Sequence, residues 1–137
     1  MSIDRDYLRR RLKDIEETMK ELERLCSKPF SDLSSEEKYA MRYQIIMLAE
    51  AIGSICIHIS MEDFNYEPES YGDCLSYLSG KGIINCADDL KGIIRMRNLL
   101  VHRYWTIDDA RIYEAIEKNF RCVERFSESV GRRYGIG

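Results

Sequence analysis

Leu8, Leu12, Ile15, Met19 and Leu22 recur at alternating steps of four and three, and the positions between them are almost all charged. That rhythm is one stripe of an amphipathic helix with a solvated opposite face. It predicts a first helix from Ser2 or Asp4 to about Cys26. Lys28-Pro29 ends it, because proline disfavours helix in the residue before it. Ser34-Ser35-Glu36-Glu37 reads as a capping box, with Ser34 at the cap and Glu37 three residues on. Met41, Ile45, Leu48, Ile52, Ile55 and Ile59 then keep the four-three rhythm to about Ser60. Ala49, Ala51, Gly53 and Ser54 are interleaved, so this second helix admits close neighbours on more than one side. It fits either the centre of a bundle or a dimer seam.

A polar loop carrying Pro68 follows from Met61 to about Ser70. A short helix from near Tyr71 to Ser79 is stopped by Gly80 and Gly82. The next helix is predicted to begin about Asn85, with Asp88 and Asp89 in its first turn, where they complement the helix dipole. It runs through Leu90, Ile93, Ile94 and Met96 to Leu100 or Val101. Thr106 or Asp108 caps a last helix whose apolar face is Ile112, Ile116, Phe120, Val123 and Phe126. No strand-period segment and no internal repeat appears. The reading is an all-α up-and-down bundle of four to five helices, a single domain over residues 1–131, with 132–137 as a short frayed tail.

The composition, 45% hydrophobic and 33% charged with only two prolines, suits helices with one apolar and one charged face. The longest uninterrupted apolar run is far short of the roughly 18 residues that span a bilayer. The charged N-terminus lacks the apolar core of a signal peptide. A cytoplasmic protein with no membrane partner is therefore expected. Five dispersed cysteines with no Cys-x-x-Cys pair argue against a disulfide framework and a structural zinc site. A net charge of -3 and a pI near 5.5 do not suit nonspecific coating of nucleic acid, yet they permit a local basic cleft.

Positive charge is concentrated around Arg97-Asn98-Leu99-Leu100-Val101-His102-Arg103-Tyr104, where a site is expected. No acidic residue occurs from Leu90 through Ile107, while Lys91, Arg95, Arg97 and Arg103 all fall there. His102 is one of two histidines in the chain. Arg97 and His102 are five apart, so on a continuous helix they sit about 140° around the axis and about 7.5 Å along it. Asn98 and His102, four apart, share a face. The motif makes sense if the helix ends near His102, freeing the imidazole to turn towards Arg97, or if two copies of the segment meet across a two-fold axis. The plainer readings are an Arg97 that pairs with a carboxylate and a histidine placed at a helix end by the dipole.

These residues carry a resemblance. The phrase from Arg97 to Trp105 is similar to the signature of the HEPN superfamily, and specifically to its HepT-like branch, in which arginine, four residues, histidine, one residue and tyrosine follow in order. Arg97, His102 and Tyr104 match that pattern, with polar Asn98 directly after the arginine. The resemblance implies a HEPN-like helical fold and a metal-independent ribonuclease toxin that is a homodimer and needs no cofactor. It further implies a nucleotidyltransferase antitoxin of the MNT type as partner, which transfers AMP to Tyr104.

The chemistry stands on its own terms. An RNA 2′-hydroxyl attacks the adjacent phosphate once a base removes its proton, and an imidazole exchanges protons near neutral pH. A guanidinium stabilises the charge that gathers on the phosphoryl oxygens. His102 and Arg97 are the expected catalytic pair, supported by Asn98 and Arg103. No carboxylate cluster suited to magnesium lies in the motif, so no metal is expected there. Alternatives are a non-catalytic dimeric partner of a nucleotidyltransferase that binds nucleotide or RNA, and a helical adaptor in which the motif only stabilises a dimer. His58 reads as a packed helix-face residue, and Glu50, a lone acid in an apolar run, as a structural partner for a motif arginine. Tyr39, Tyr43, Tyr66, Tyr71 and Tyr77 form no spaced stacking platform for bases.

Overall fold

The apolar rhythm is realised as five helices in the computed structural model, which describes residues 2–136. They are α1 (Arg5–Leu25), α2 (Ser35–Phe64), α3 (Tyr71–Gly80), α4 (Ala87–His102) and α5 (Asp109–Tyr134), with 3-10 turns at Phe30–Asp32 and Tyr104–Thr106. There is no strand among the described residues, and the fold is an all-α bundle.

Local chemistry sets the boundaries. Asp4 caps α1 by accepting from the Tyr7 amide, and Ser34 and Glu37 form the expected reciprocal capping box at the start of α2. Asp108, one of the two expected caps, opens α5 by accepting from the Ala110 amide. Helix α2 runs one turn past the expected end at Ser60, into the segment read as loop. Asn65 stops it in the left-handed region at φ 53°, a conformation asparagine tolerates better than most residues.

The two-faced helix is the centre of the bundle. Residues on several sides of α2 are buried, among them Met41, Ile45, Leu48, Ala49, Ile52, Ile55, Cys56 and Ile59, and α2 packs against all four other helices. Its composition alone would let it cross a bilayer, with a window of mean hydropathy 1.6, but 56% of that window is buried against the other helices. A long apolar helix needs no lipid when protein surrounds it.

The frayed tail is a correction. Helix α5 continues to Tyr134, and Tyr134 and Ile136 are buried. Gly135, at φ 69°, turns the chain so that the Ile136 amide donates to the Gly131 carbonyl at 2.8 Å. This is a Schellman closure, with its following apolar residue tucked against the helix. Arg132, Arg133 and Gly135 looked like a loose end, yet the two arginines lie in the last turn of α5 and Gly135 caps it. Met1 and Gly137, which the domain and tail readings also covered, lie outside the described residues.

Candidate functional site

Helix α4 carries two stripes that do different work. Leu90, Ile93, Arg97 and Leu100, at steps of three, four and three, make the inward stripe, and its three apolar members are buried. Lys91, Arg95, Asn98 and His102, at steps of four, three and four, make a polar stripe about 16 Å long, of which the last three residues are exposed. Arg97 thus sits where the periodicity calls for an apolar side chain.

A charge there needs a partner, because burying an unpaired ion is costly. Glu50 of α2 provides it, with Oε1 2.6 Å from Arg97 Nη2, which is the structural role expected of that lone acid. Glu50 Oε2 also accepts from the Tyr71 hydroxyl at 3.1 Å. The Arg97 guanidinium carbon lies 5.7 Å from the centre of the Tyr71 ring, within cation–π reach. Burial raises the Tyr71 phenol pKa above its ordinary value, and the Glu50 charge adds to this. Gly53 makes room for the ring, since a Cβ at that position would stand 2.5 Å from it. Neither Tyr71 nor Gly53 was singled out from the sequence as part of a site. The available signal was a glycine in the middle of an apolar helix, one turn beyond a lone glutamate.

Arg97 Nη1 donates to Asn98 Oδ1 at 2.8 Å. Asn98 therefore connects the inward arginine to the outward stripe that holds His102. Arg97 Nε is buried and has no hydrogen-bond partner among the described residues. Beside this group lies an open groove of about 510 Å³ between α4 and the start of α3, lined by Ser70, Tyr71, Lys91, Arg95, Arg97 and Asn98, with Glu69 the acid on its rim.

The helix does end at His102, the first of the two arrangements expected, but the two expected catalytic residues remain apart on it. His102 is the last helical residue and exposed, and no hydrogen bond joins it to Arg97. Arg103 caps the helix through its amide to the Leu99 carbonyl at 2.7 Å, and its own carbonyl accepts from Thr106. Its side chain is exposed, with no ion pair among the described residues. Tyr104 and Trp105 project from the following turn, 62% and 69% exposed, with their rings edge to face at 5.4 Å. Arg42 of α2 grips Asp109 in the first turn of α5 through two hydrogen bonds of 2.7 and 2.9 Å, and the Asp109 carboxylate raises the Arg42 pKa.

The other histidine is structural. His58 Nε2 accepts from the Asp4 amide at 3.0 Å, and its ring packs 5.0 Å from that of Tyr7.

The family model described as Ribonuclease HepT-like matches residues 12–130. Among solved structures, YutE, a cytosolic protein of Bacillus subtilis, is 22% identical with a TM-score of 0.84, over 98% of this chain and 92% of that one. A crystallised toxin-antitoxin with AMP-PNP is 17% identical with a TM-score of 0.85, over 93% of this chain and 98% of that one. A mutant MntA-HpeT toxin-antitoxin is 18% identical with a TM-score of 0.83, over the same shares. At these identities the likeness is one of fold. No curated protein sequence matches.

Proposed function

Because the chain belongs to the HepT-like ribonuclease family, we propose that the protein is the toxin of a toxin–antitoxin pair, an endoribonuclease acting on RNA in the cytoplasm. The observation that carries the reading is Arg97, a guanidinium held at the edge of a basic groove with one buried donor unused. A phosphate in that groove would meet the cations Lys91, Arg95 and Arg97.

In this mechanism His102 takes the proton of a 2′-hydroxyl, and the freed oxygen attacks the adjacent phosphorus. Arg97 stabilises the charge on the non-bridging oxygens. The 5′-oxygen leaves with a proton from an imidazolium, giving a 2′,3′-cyclic phosphate and a 5′-hydroxyl. Asn98 orients the guanidinium, Arg103 adds positive charge at the helix end, and no step calls on a metal. His102 and Arg97 of one chain lie on different sides of α4, so a homodimer that brings two motifs together suits the chemistry. The exposed apolar side chains of Leu99 and Val101 are suited to such an interface.

Regulation follows from Tyr104. Its exposed hydroxyl is open to a nucleotidyltransferase antitoxin of the MNT type, and an attached AMP would set a negative phosphate and a base beside His102 and Arg103, opposing RNA. Toxin–antitoxin complexes of the same fold support this partnership.

Purified protein incubated with RNA in EDTA tests the reaction. Cleavage should leave cyclic phosphate ends and be lost in His102→Ala. Wild-type cleavage no greater than that of His102→Ala would overturn the nuclease reading. The Arg97–Glu50 pair favours the second reading, a non-catalytic partner that binds nucleotide or RNA, and the same assay decides between them. Co-expression with an MNT-type nucleotidyltransferase should add the mass of one AMP moiety, and Tyr104→Phe should abolish the addition.

A further inference from the structure

Three side chains that the motif does not use converge at the opposite end of α4 from His102. Cys86 caps the helix, Asp89 lies in its first turn, and Cys122 reaches them from the middle of α5. Their two Sγ atoms and a carboxylate oxygen lie within 4.8 Å of one another. Cys122 Sγ donates to Asp89 Oδ2 at 3.2 Å. Among the described residues no other group of three cysteine, histidine or carboxylate side chains is so arranged.

We propose that Cys86, Asp89 and Cys122 bind one thiophilic divalent cation of the Zn²⁺ class, which staples the first turn of α4 to α5. Two sulfurs and one carboxylate oxygen are a donor set such cations accept, with a water as fourth ligand. Bond lengths near 2.0–2.3 Å place tetrahedral ligand atoms about 3.3–3.8 Å apart, so the side chains need to close in by only about 1 Å. Cys86 and Asp89 are half-buried while Cys122 is buried, which leaves one side of the cluster open to the water.

Helix geometry favours the same assignment. Cys86 is the N-cap and Asp89 the third helical residue, the spacing at which a cap side chain and a first-turn side chain meet, so both donors face one point. Cys86 makes no side-chain capping hydrogen bond, so its sulfur is not committed to the helix end. On binding, the two thiol protons pass to solvent, and the cation with two thiolates and one carboxylate carries a net charge of -1. The positive end of the helix dipole stabilises that charge.

The ligands were hidden in the sequence because Cys86 and Cys122 come from two helices and follow no local spacing. The protein's other thiol pair is a natural control. Cys56 and Cys74 are buried in the core, where Cys74 Sγ meets the Ser60 hydroxyl at 3.0 Å.

The full-length protein, reduced and stripped of metal, is titrated with Co²⁺. One equivalent should produce thiolate-to-cobalt charge-transfer and tetrahedral d–d bands, which Zn²⁺ then displaces. Cys86→Ser and Cys122→Ser should each weaken binding about tenfold or more, as should Asp89→Asn, which preserves side-chain shape. Cys74→Ala should leave the bands intact. Zn²⁺ should raise the Tm of the wild type and of Cys74→Ala but not of Cys86→Ser. Absence of the charge-transfer band in folded wild type overturns the proposal, as does a band that survives replacement of both Cys86 and Cys122. Loss of two hydrogens on air oxidation, blocked by either serine variant and without cobalt binding when reduced, would show a redox pair instead.

Discussion

At position 97 an arginine occupies the core-facing stripe of α4, and three neighbours keep it there: the Glu50 carboxylate, the Asn98 amide oxygen and the Tyr71 ring. The planar guanidinium can satisfy two oxygens and a ring face at once, whereas an ammonium is a point charge. Arg97→Lys should therefore fold within about 1 kcal/mol of wild type, because the pair with Glu50 is partly solvated. It should lose roughly 10²- to 10³-fold in RNA cleavage, the cost of removing one stabilising donor group. Thermal melts read alongside a single-turnover assay check both halves. Gly53→Ala probes the same cluster from behind. The added methyl gains about 1 kcal/mol of helix propensity but meets the Tyr71 ring at 2.5 Å, and overpacking costs about 1–3 kcal/mol. A net loss of about 1 kcal/mol is expected, with the ring displaced from Arg97. A Tm equal to or above wild type would show that Tyr71 moves aside without consequence.

At the scale of the element, α4 separates its tasks by face, the inward stripe fixing Arg97 and the outward stripe offering Lys91, Arg95, Asn98 and His102 along one line. If that line tracks an RNA backbone, Lys91→Ala and Arg95→Ala should each weaken binding without changing the products. Each should also reduce the slope of log affinity against log salt by about 0.7, the value for one single-strand phosphate contact. Binding measured at three salt concentrations tests this, and unchanged slopes would remove both residues from the RNA path. Much of this helix was legible beforehand. Its apolar spacing, its acidic first turn and its end near His102 follow from local rules of periodicity and dipole. The pairing of Glu50 with a motif arginine was legible too, because a lone acid in an apolar run needs a cation. Tyr71 and Gly53 were not, since their meeting depends on how α3 lies across α2, and that is set by packing rather than by anything within either segment.

Across the whole molecule, the two ends of the chain are tied together beside the end of α2. Arg5 Nε donates to the Tyr134 carbonyl at 2.8 Å, and the Tyr134 hydroxyl donates to Asp63 Oδ2 at 2.7 Å. This junction joins α1, α2 and α5, which is why the last turn of α5 is ordered where the sequence suggested a tail. Burial, and then the hydrogen bond to Asp63, push the Tyr134 phenol up to about 12 from an ordinary value of 10.0. A phenol whose pKa is raised on folding favours the folded state most while it is protonated. The stability it adds is fully present below pH 10 and is lost as the pH rises from 10 through 12. Tyr134→Phe should therefore cost about 1 kcal/mol at neutral pH, the typical net worth of one hydrogen bond. The gap to wild type should narrow steadily between pH 10 and 12. Denaturant melts of the two proteins across that range isolate Tyr134 from the other tyrosines, which titrate in both. A gap that stays constant to pH 12 would mean that the hydroxyl contributes no proton-linked stability and that only the ring holds the end of α5.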